Sequence, residues 1–278
     1  MKTRNDFGLV ILHYGNIHVT KECLKSLINC NISDYPICIV LNSNIENNNF
    51  NEFKEHLQLE FHNTYRNIGF AKGMNTGIKI LIDKYHCQNI ACVNNDIRFI
   101  DGQMFLKMKK IILNNDTIAI IGPNILNLDG INQNPIPLAN FNLLYIVKRL
   151  VKNLIGLLLL YLNININQKK LFKTKRKIKS FDEYMLHGAC FILTKNYFYQ
   201  FKGLYNKTFL YAEEYILYYL VRKHGMVPYC LNSTSVIHNE HSSTREKHGS
   251  QRKLMIFRLK NESFSLMMLI RLMIKGED

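Results

Sequence analysis

The chain has 278 residues, 47% hydrophobic and 21% charged, a balance that suits a packed globular protein and excludes wholesale disorder. Its formal net charge is +15, yet ten basic residues fall in one acid-free stretch between Gly130 and Phe181, so the surface is not uniformly basic as a nucleic-acid coat would be. Seven cysteines, an odd number with no C-x-x-C pair, read as buried reduced thiols and argue against a disulfide framework or a structural zinc site.

In chain order, "FGLVILHY" (7–14) predicts a strand, and this apolar run is too short, and lacks the small-residue cleavage site, for a signal peptide. "TKECLKSLINC" (20–30) has helical spacing with Thr20 as its cap, and "YPICIVLN" (35–42) is a second strand. A polar helix is expected over 49–58, a strand at 60–64, a helix at 71–85 and a strand at 89–94. A helix at 103–113 precedes the apolar run "IAIIGPNIL". Strands alternating with helices predict a parallel sheet covered on both faces, with ligands beyond the strands' carboxyl ends.

The pattern then changes. Residues 131–140 read as a Pro-containing loop, and 141–162 as an apolar helix with a basic patch, followed by "QKKLFKTKRKIK". Its most apolar run, Leu154 to Leu162, is well short of the ~20 residues a bilayer crossing needs. Strand-like "HGACFILTK" (187–195), helical "AEEYILYYLVRKHG" (212–225) and "TSVIHNEHSST" (234–244), a strand with a His-rich turn, come next. From Gln251 the tail predicts one or two amphipathic helices.

Four constellations carry possible chemistry. In "NIGFAKGMNTGI", Gly69, Gly73 and Gly77 recur every fourth residue. They serve either close helix packing or a helix start open to a phosphorylated ligand; the spacing is not G-x-G-x-x-G. Asn94-Asn95-Asp96 follows a buried strand and reads either as an Asx-rich turn or as oxygen ligands for a hard divalent cation. One carboxylate alone binds such a cation weakly, so diphosphate oxygens and a His from elsewhere would complete the set. Glu213 and Glu214 open a helix, where they either complement its dipole or supply a general base. His238, Glu240 and His241 lack H-E-x-x-H spacing and a third ligand; a single His on a metal–diphosphate is the better reading than zinc.

Taken in order, "VILHYGNIHVTKECLKSL", "RNIGFAKGMNTGIK", "CVNNDI" and "HGACFILTKNYFYQFKGLYNKTFLYAEE" resemble the family 2 glycosyltransferases. These are inverting enzymes, and the likeness is strongest to the bacterial rhamnosyl- and galactosyltransferases of capsule, O-antigen and cell-wall polysaccharide. It covers about residues 7–127 and 184–242. The resemblance implies an α/β GT-A fold with a Rossmann-like, mostly parallel central sheet flanked by helices. It divides the chain into a domain over 1–242 (donor half 1–127, basic amphipathic insert 131–181, acceptor half 182–242) and a helical extension over 243–278.

By matching position, the resemblance implies that Asp96, Asn94 and His238 hold Mg²⁺ or Mn²⁺ against the diphosphate of a nucleotide-sugar donor. His13, Tyr14, Asn42, Asn67, Gly69, Gly73 and Asn95 would border the donor, and Gly188 and Ala189 the sugar and acceptor side. The acidic pair would supply the base: Glu214 matches the usual Asp position, and Glu213 is its rival. Two positions depart from the family pattern. Leu41, followed by Asn42, stands where an Asp usually contacts the nucleoside, and Asn94 replaces the first acid of the D-x-D motif.

The acceptor implied is a saccharide, carried on a lipid diphosphate. Residues 141–179 would then seat the protein on the cytoplasmic face of the cell membrane, Leu and Tyr entering the interface while Lys and Arg meet anionic lipid. Nucleic acid is not an expected partner, because the basic cluster has few aromatics and no nucleic-acid motif is present.

Overall fold

The computed structural model describes residues 6–138, 140–163, 183–239 and 251–276. The basic run 168–179 and the segment holding Glu240 and His241 lie outside the described residues.

The apolar runs become strands because both of their faces are covered. β1 (Phe7–His13), β2 (Ile37–Leu41) and β4 (Asn89–Asn94) are buried almost throughout, and β3 (Leu59–Asn63), half-buried, forms the edge. Between them run α1 (Ile17–Ile28) and α2 (Phe70–Tyr85). Then come β5 (Ile97–Phe99), α3 (Met104–Leu113), β6 (Ile118–Leu126), the two-residue β7 (Ile136–Pro137) and α4 (Leu143–Tyr161). After them come β8 (Tyr184–Met185), β9 (Cys190–Leu193), α5 (Lys195–Gln200), α6 (Glu213–Lys223), β10 (Val227–His238) and α7 (Gln251–Lys275).

One eight-stranded sheet has the order β3-β2-β1-β4-β9-β6-β10-β5. The pairs among β1 to β4 and the β6–β10 pair are parallel, as expected, whereas β9 runs antiparallel between β4 and β6, and β5 antiparallel to β10. An apolar run signals burial on both faces but carries no mark of strand direction. Side chains alternate faces: Leu9 and Ile11 join the core under α1 and α3, Val10 and Leu12 the core under α2.

Two local expectations are corrected. Residues 47–53 form a 3₁₀ turn instead of a helix over 49–58, with Phe50 and Phe53, three apart, turned into the core. The cap of α1 is Asn16, whose side-chain Oδ1 accepts from the His18 N–H at 2.9 Å, while Thr20 lies buried inside the helix.

The glycine stripe of α2 is a packing device along much of its length. A Cβ on Gly73 would meet Leu12 at 2.5 Å, and one on Gly77 would meet Val10 at 2.5 Å. The helix therefore lies directly on the sheet, and Gly69 opens it at φ +93. Elsewhere, α4 and α7 pack along one another and share a core with α6, through Ile146, Leu266, Leu269, Tyr215 and Ile216. No helix among the described residues is long and apolar enough to cross a membrane.

Candidate active site

The carboxyl end of β4 is where the chemistry-bearing residues converge. Asn94 ends that strand, and its N–H donates to the Ala189 carbonyl at 2.8 Å. Asp96 then lies against the end of β10, its carbonyl accepting from the Asn239 N–H at 3.0 Å. That pairing brings the Asp96 carboxylate to His238, with Oδ1 3.4 Å from Nε2, both side chains being largely buried. The other ring nitrogen of His238 lies 3.3 Å from Gln133 Oε1, which it meets as donor when Nδ1 carries the proton. A carboxylate oxygen and an imine nitrogen then face each other, and Asp96 Oδ1, buried, has no hydrogen-bond partner.

The 187–189 segment forms the adjoining wall. The N–H of His187 donates to Asn134 Oδ1 (3.0 Å), and its Nδ1 accepts from the Ala189 N–H (3.2 Å). Its ring stands edge-on to that of His238, with centroids 5.3 Å apart. Gly188 sits against Glu214: a Cβ there would come 2.7 Å from Glu214 Oε1. A side chain at that position would displace the Glu214 carboxylate from where it lies.

The two acids of α6 differ in environment. Glu213 has one carboxyl oxygen buried without a hydrogen-bond partner. Burial, and next the charge of Glu214, push its pKa from 4.5 to about 8. It therefore keeps its proton at neutral pH. Both acids line an otherwise apolar cavity of about 20 Å³, room for a single water, with Phe70, Leu186, Tyr197 and Leu204.

The remaining sequence-derived positions sit beneath or beside this centre and hold it. Fully buried His13 receives Thr20 at 2.7 Å, Thr20 accepts from Asn95 Nδ2 at 2.9 Å, and the same Asn95 amide reaches the Tyr14 carbonyl at 3.2 Å. Burial lowers the His13 pKa to about 4, so the ring is neutral. Asn42 is spent on the loop before α2: its Nδ2 donates to Asn67 Oδ1 (3.1 Å), and its Oδ1 accepts from the Ile68 N–H (2.9 Å). Asn67 Oδ1 in turn accepts from the Gly69 N–H. His187 and Gln133 are not singled out from the sequence, and Thr20 only as a helix cap; His187 is hidden inside a run that reads as strand.

This architecture was compared with known proteins. No protein-family model matches the chain. Over 236 residues it is 23% identical to the low-salt glycan biosynthesis hexosyltransferase Agl10 of Haloferax volcanii, covering 85% of this chain and 68% of that protein. Among solved structures, S. aureus TarS superposes with a TM-score of 0.55 at 11% identity, over 98% of this chain. GalNAc-T7, crystallised with UDP, GalNAc and Mn²⁺, gives 0.59 at 12% identity over 94% of this chain. The mannosyltransferase PcManGT from Pyrobaculum calidifontis, in complex with GDP-Man and Mn²⁺, gives 0.54 at 11% identity over 99% of this chain.

The chain has the GT-A glycosyltransferase fold. It spans 66% of the TarS chain, 47% of GalNAc-T7 and 75% of PcManGT.

The residues at the end of β4 in this GT-A fold suit a hard divalent cation. The buried Asp96 oxygen, which has no hydrogen-bond partner, is the observation that makes the fit, with the His238 imidazole 3.4 Å from it. Among the described residues no group of three or more His, Cys, Asp or Glu side chains could hold a metal ion. Two protein ligands leave most of the coordination sphere to a bound diphosphate and water.

Proposed function

We propose that the protein is an inverting hexosyltransferase that moves a sugar from a nucleoside-diphosphate donor to a hydroxyl of a saccharide acceptor, in surface polysaccharide synthesis. The observation that carries this reading is the buried Asp96 oxygen facing His238 at 3.4 Å, with Glu214 set against Gly188 on the adjoining wall. The GT-A fold and the likeness to a hexosyltransferase support it.

Glu214 accepts the proton of the acceptor hydroxyl, whose oxygen forms a bond to the anomeric carbon as the bond to the diphosphate oxygen breaks. A single in-line displacement of this kind inverts the anomeric configuration. Asp96 and His238 would hold Mg²⁺ or Mn²⁺, with Asn94 beside them; when bound, that ion supplies Lewis-acid neutralisation of the leaving diphosphate. Gly69, at the N-terminus of α2, lets the helix start lie directly against the Phe209 carbonyl, and Asn42 and Asn67 keep that loop in place.

The acceptor is lipid-linked in this reading, and the protein is peripheral on the cytoplasmic face of the membrane. Support comes from α4, which buries Ile146, Asn153, Gly156 and Leu160 and exposes Leu144, Val151, Ile155 and Leu158 on its other side. Lys148 and Lys152 flank that exposed ridge, and seven more basic residues follow between Lys169 and Lys179. An apolar ridge among cations matches an anionic lipid surface, each near-surface charge contributing ~1 kcal/mol.

A thermal-shift screen of nucleotide sugars with Mg²⁺ and Mn²⁺, followed by a transfer assay, tests the chemistry. A stabilising donor and Asp96-dependent transfer are expected; donor binding without any transfer would make the chain a scaffold. Flotation with anionic vesicles tests the surface. Leu154→Glu with Leu158→Glu should abolish co-flotation, and equal binding by wild type and variant rejects the membrane.

A further inference from the structure

The tail from Gln251 read as an extension outside the GT-A domain, yet its helix reaches the segment that presents the base. Tyr211 and Ala212, which precede Glu213, both lie in the left-handed region at φ 69 and φ 64. Neither is glycine, and Ala212 caps α6 without a side-chain hydrogen bond. Such a turn persists only where its surroundings over-determine it.

Those surroundings come from α4 and α7. Phe257 of α7 stands edge-on to both Phe209 and Tyr211, and the Arg258 guanidinium lies 5.6 Å from the centre of the Tyr211 ring. One turn further on, Glu262, 3% exposed, accepts from Arg149 Nε at 2.7 Å and lies 2.5 Å from a terminal guanidinium nitrogen. Arg149 belongs to α4, and its guanidinium lies 5.0 Å from the centre of the Tyr215 ring, one residue beyond Glu214. Phe141 stacks on that same Tyr215 ring, and the Tyr145 hydroxyl lies 3.4 Å from the Tyr215 hydroxyl.

A buried ion pair gives little net stability, because desolvation offsets its attraction. What this one gains is geometry. The planar guanidinium fixes α4 and α7 together through Glu262 and presents its face to the ring beside the base. We propose that Arg149 and Glu262 are positioning residues for Glu214, so that α4 and α7 are part of the catalytic apparatus. This rests on the reading of Glu214 as general base. It goes further by assigning the alignment of that base to two helices outside the donor half.

The test is a double variant, Arg149→Met with Glu262→Leu, which removes both charges at similar volume, beside the isosteric Glu262→Gln and the charge-conserving Arg149→Lys. Misplacing a reacting group by about 1 Å can cost on the order of 100-fold. For the double variant kcat should fall about 10- to 100-fold with the donor KM unchanged, and amide exchange over residues 211–215 should quicken. Glu262→Gln should quicken the same amides even if the double variant does not fold, and Arg149→Lys should recover part of kcat. Unchanged exchange at 211–215 in the folded variants, or a kcat equal to wild type, overturns the proposal. If the wild-type protein transfers no sugar, the reading of Glu214 as base falls, and the exchange measurement still decides whether the pair fixes this turn.

Discussion

Replacing Glu213 by Gln tests the division of labour in the acidic pair most directly. The Glu213 carboxyl is pushed from 4.5 to about 8 by burial and then by the charge of Glu214, so at pH 7 roughly nine in ten molecules carry it protonated. Glutamine is neutral and nearly isosteric with the protonated acid. Glu213→Gln should therefore keep kcat within about threefold at pH 7, whereas Glu214→Gln should lose ~10²–10⁴-fold, the usual worth of a general base.

The stability of the same variant carries a sign that can be worked out. The folded protein holds the Glu213 proton up to about 8, while the unfolded chain releases it near 4.5. In that interval the folded state binds more protons, so stability falls as pH rises, and the loss levels off above the folded value. At ~1.4 kcal/mol per pH unit the interval amounts to roughly 4 kcal/mol between pH 5 and pH 9. Glu213→Gln should remove this slope. Urea denaturation of both proteins at pH 5, 7 and 9 measures it, with transfer followed in parallel at pH 7. Parallel pH–stability curves for the two proteins, or an inactive Glu213→Gln beside an active Glu214→Gln, would refute the assignment.

Asp96→Asn and His238→Ala should each weaken Mn²⁺ binding in the presence of nucleoside diphosphate by tenfold or more, read by the free-ion spectrum or by calorimetry. Gly69→Ala should cost about 2 kcal/mol or more in a denaturation experiment: alanine strains the backbone at φ +93, and its Cβ would meet the Phe209 carbonyl oxygen at 2.6 Å. Burial raises the thiols of Cys38, Cys87 and Cys190 to about 12 and that of Cys230 to about 11. At pH 8 only about one thiol in 10³ is then ionised at Cys230, and a disulfide reagent should modify the native protein far more slowly than the denatured one.

The first half of the fold was legible because its signals are local. Apolar runs bounded by polar turns located β1, β2 and β4, and helical spacing located α1 and α2. Strand direction was not legible, since β9 reads the same whichever way it runs. Nor were β5, β7 and β8, two or three residues each, which exist only because a partner strand is brought alongside. At the site, Asp96, His238 and Glu214 were found because their chemistry is unusual where they stand. The amides were harder. An Asn that contacts a ligand and one that anchors a loop look alike in sequence, and only the hydrogen-bond partners of Asn42 and Asn67 show that theirs go to the loop.

The Asn94-Asn95-Asp96 stretch combines the features of a polar turn with those of a carboxylate held for a ligand. Asn95 is buried and donates to Thr20 Oγ1 and the Tyr14 carbonyl, binding the stretch to α1 as a polar turn would. Asp96 is instead turned to His238 with an oxygen no protein donor satisfies. Asn95 and Asp96 make the turn between β4 and β5, where one residue fastens the backbone while its neighbour is held toward His238. The unsatisfied carboxylate is costly in a buried place, and it persists because Asn95, Thr20 and His13 fix the chain beneath it. The intervening residue of this N-x-D stretch is thus part of the site's rigidity, and the substitution of Asn for acid at position 94 leaves intact the contact that matters most, between Asp96 and His238.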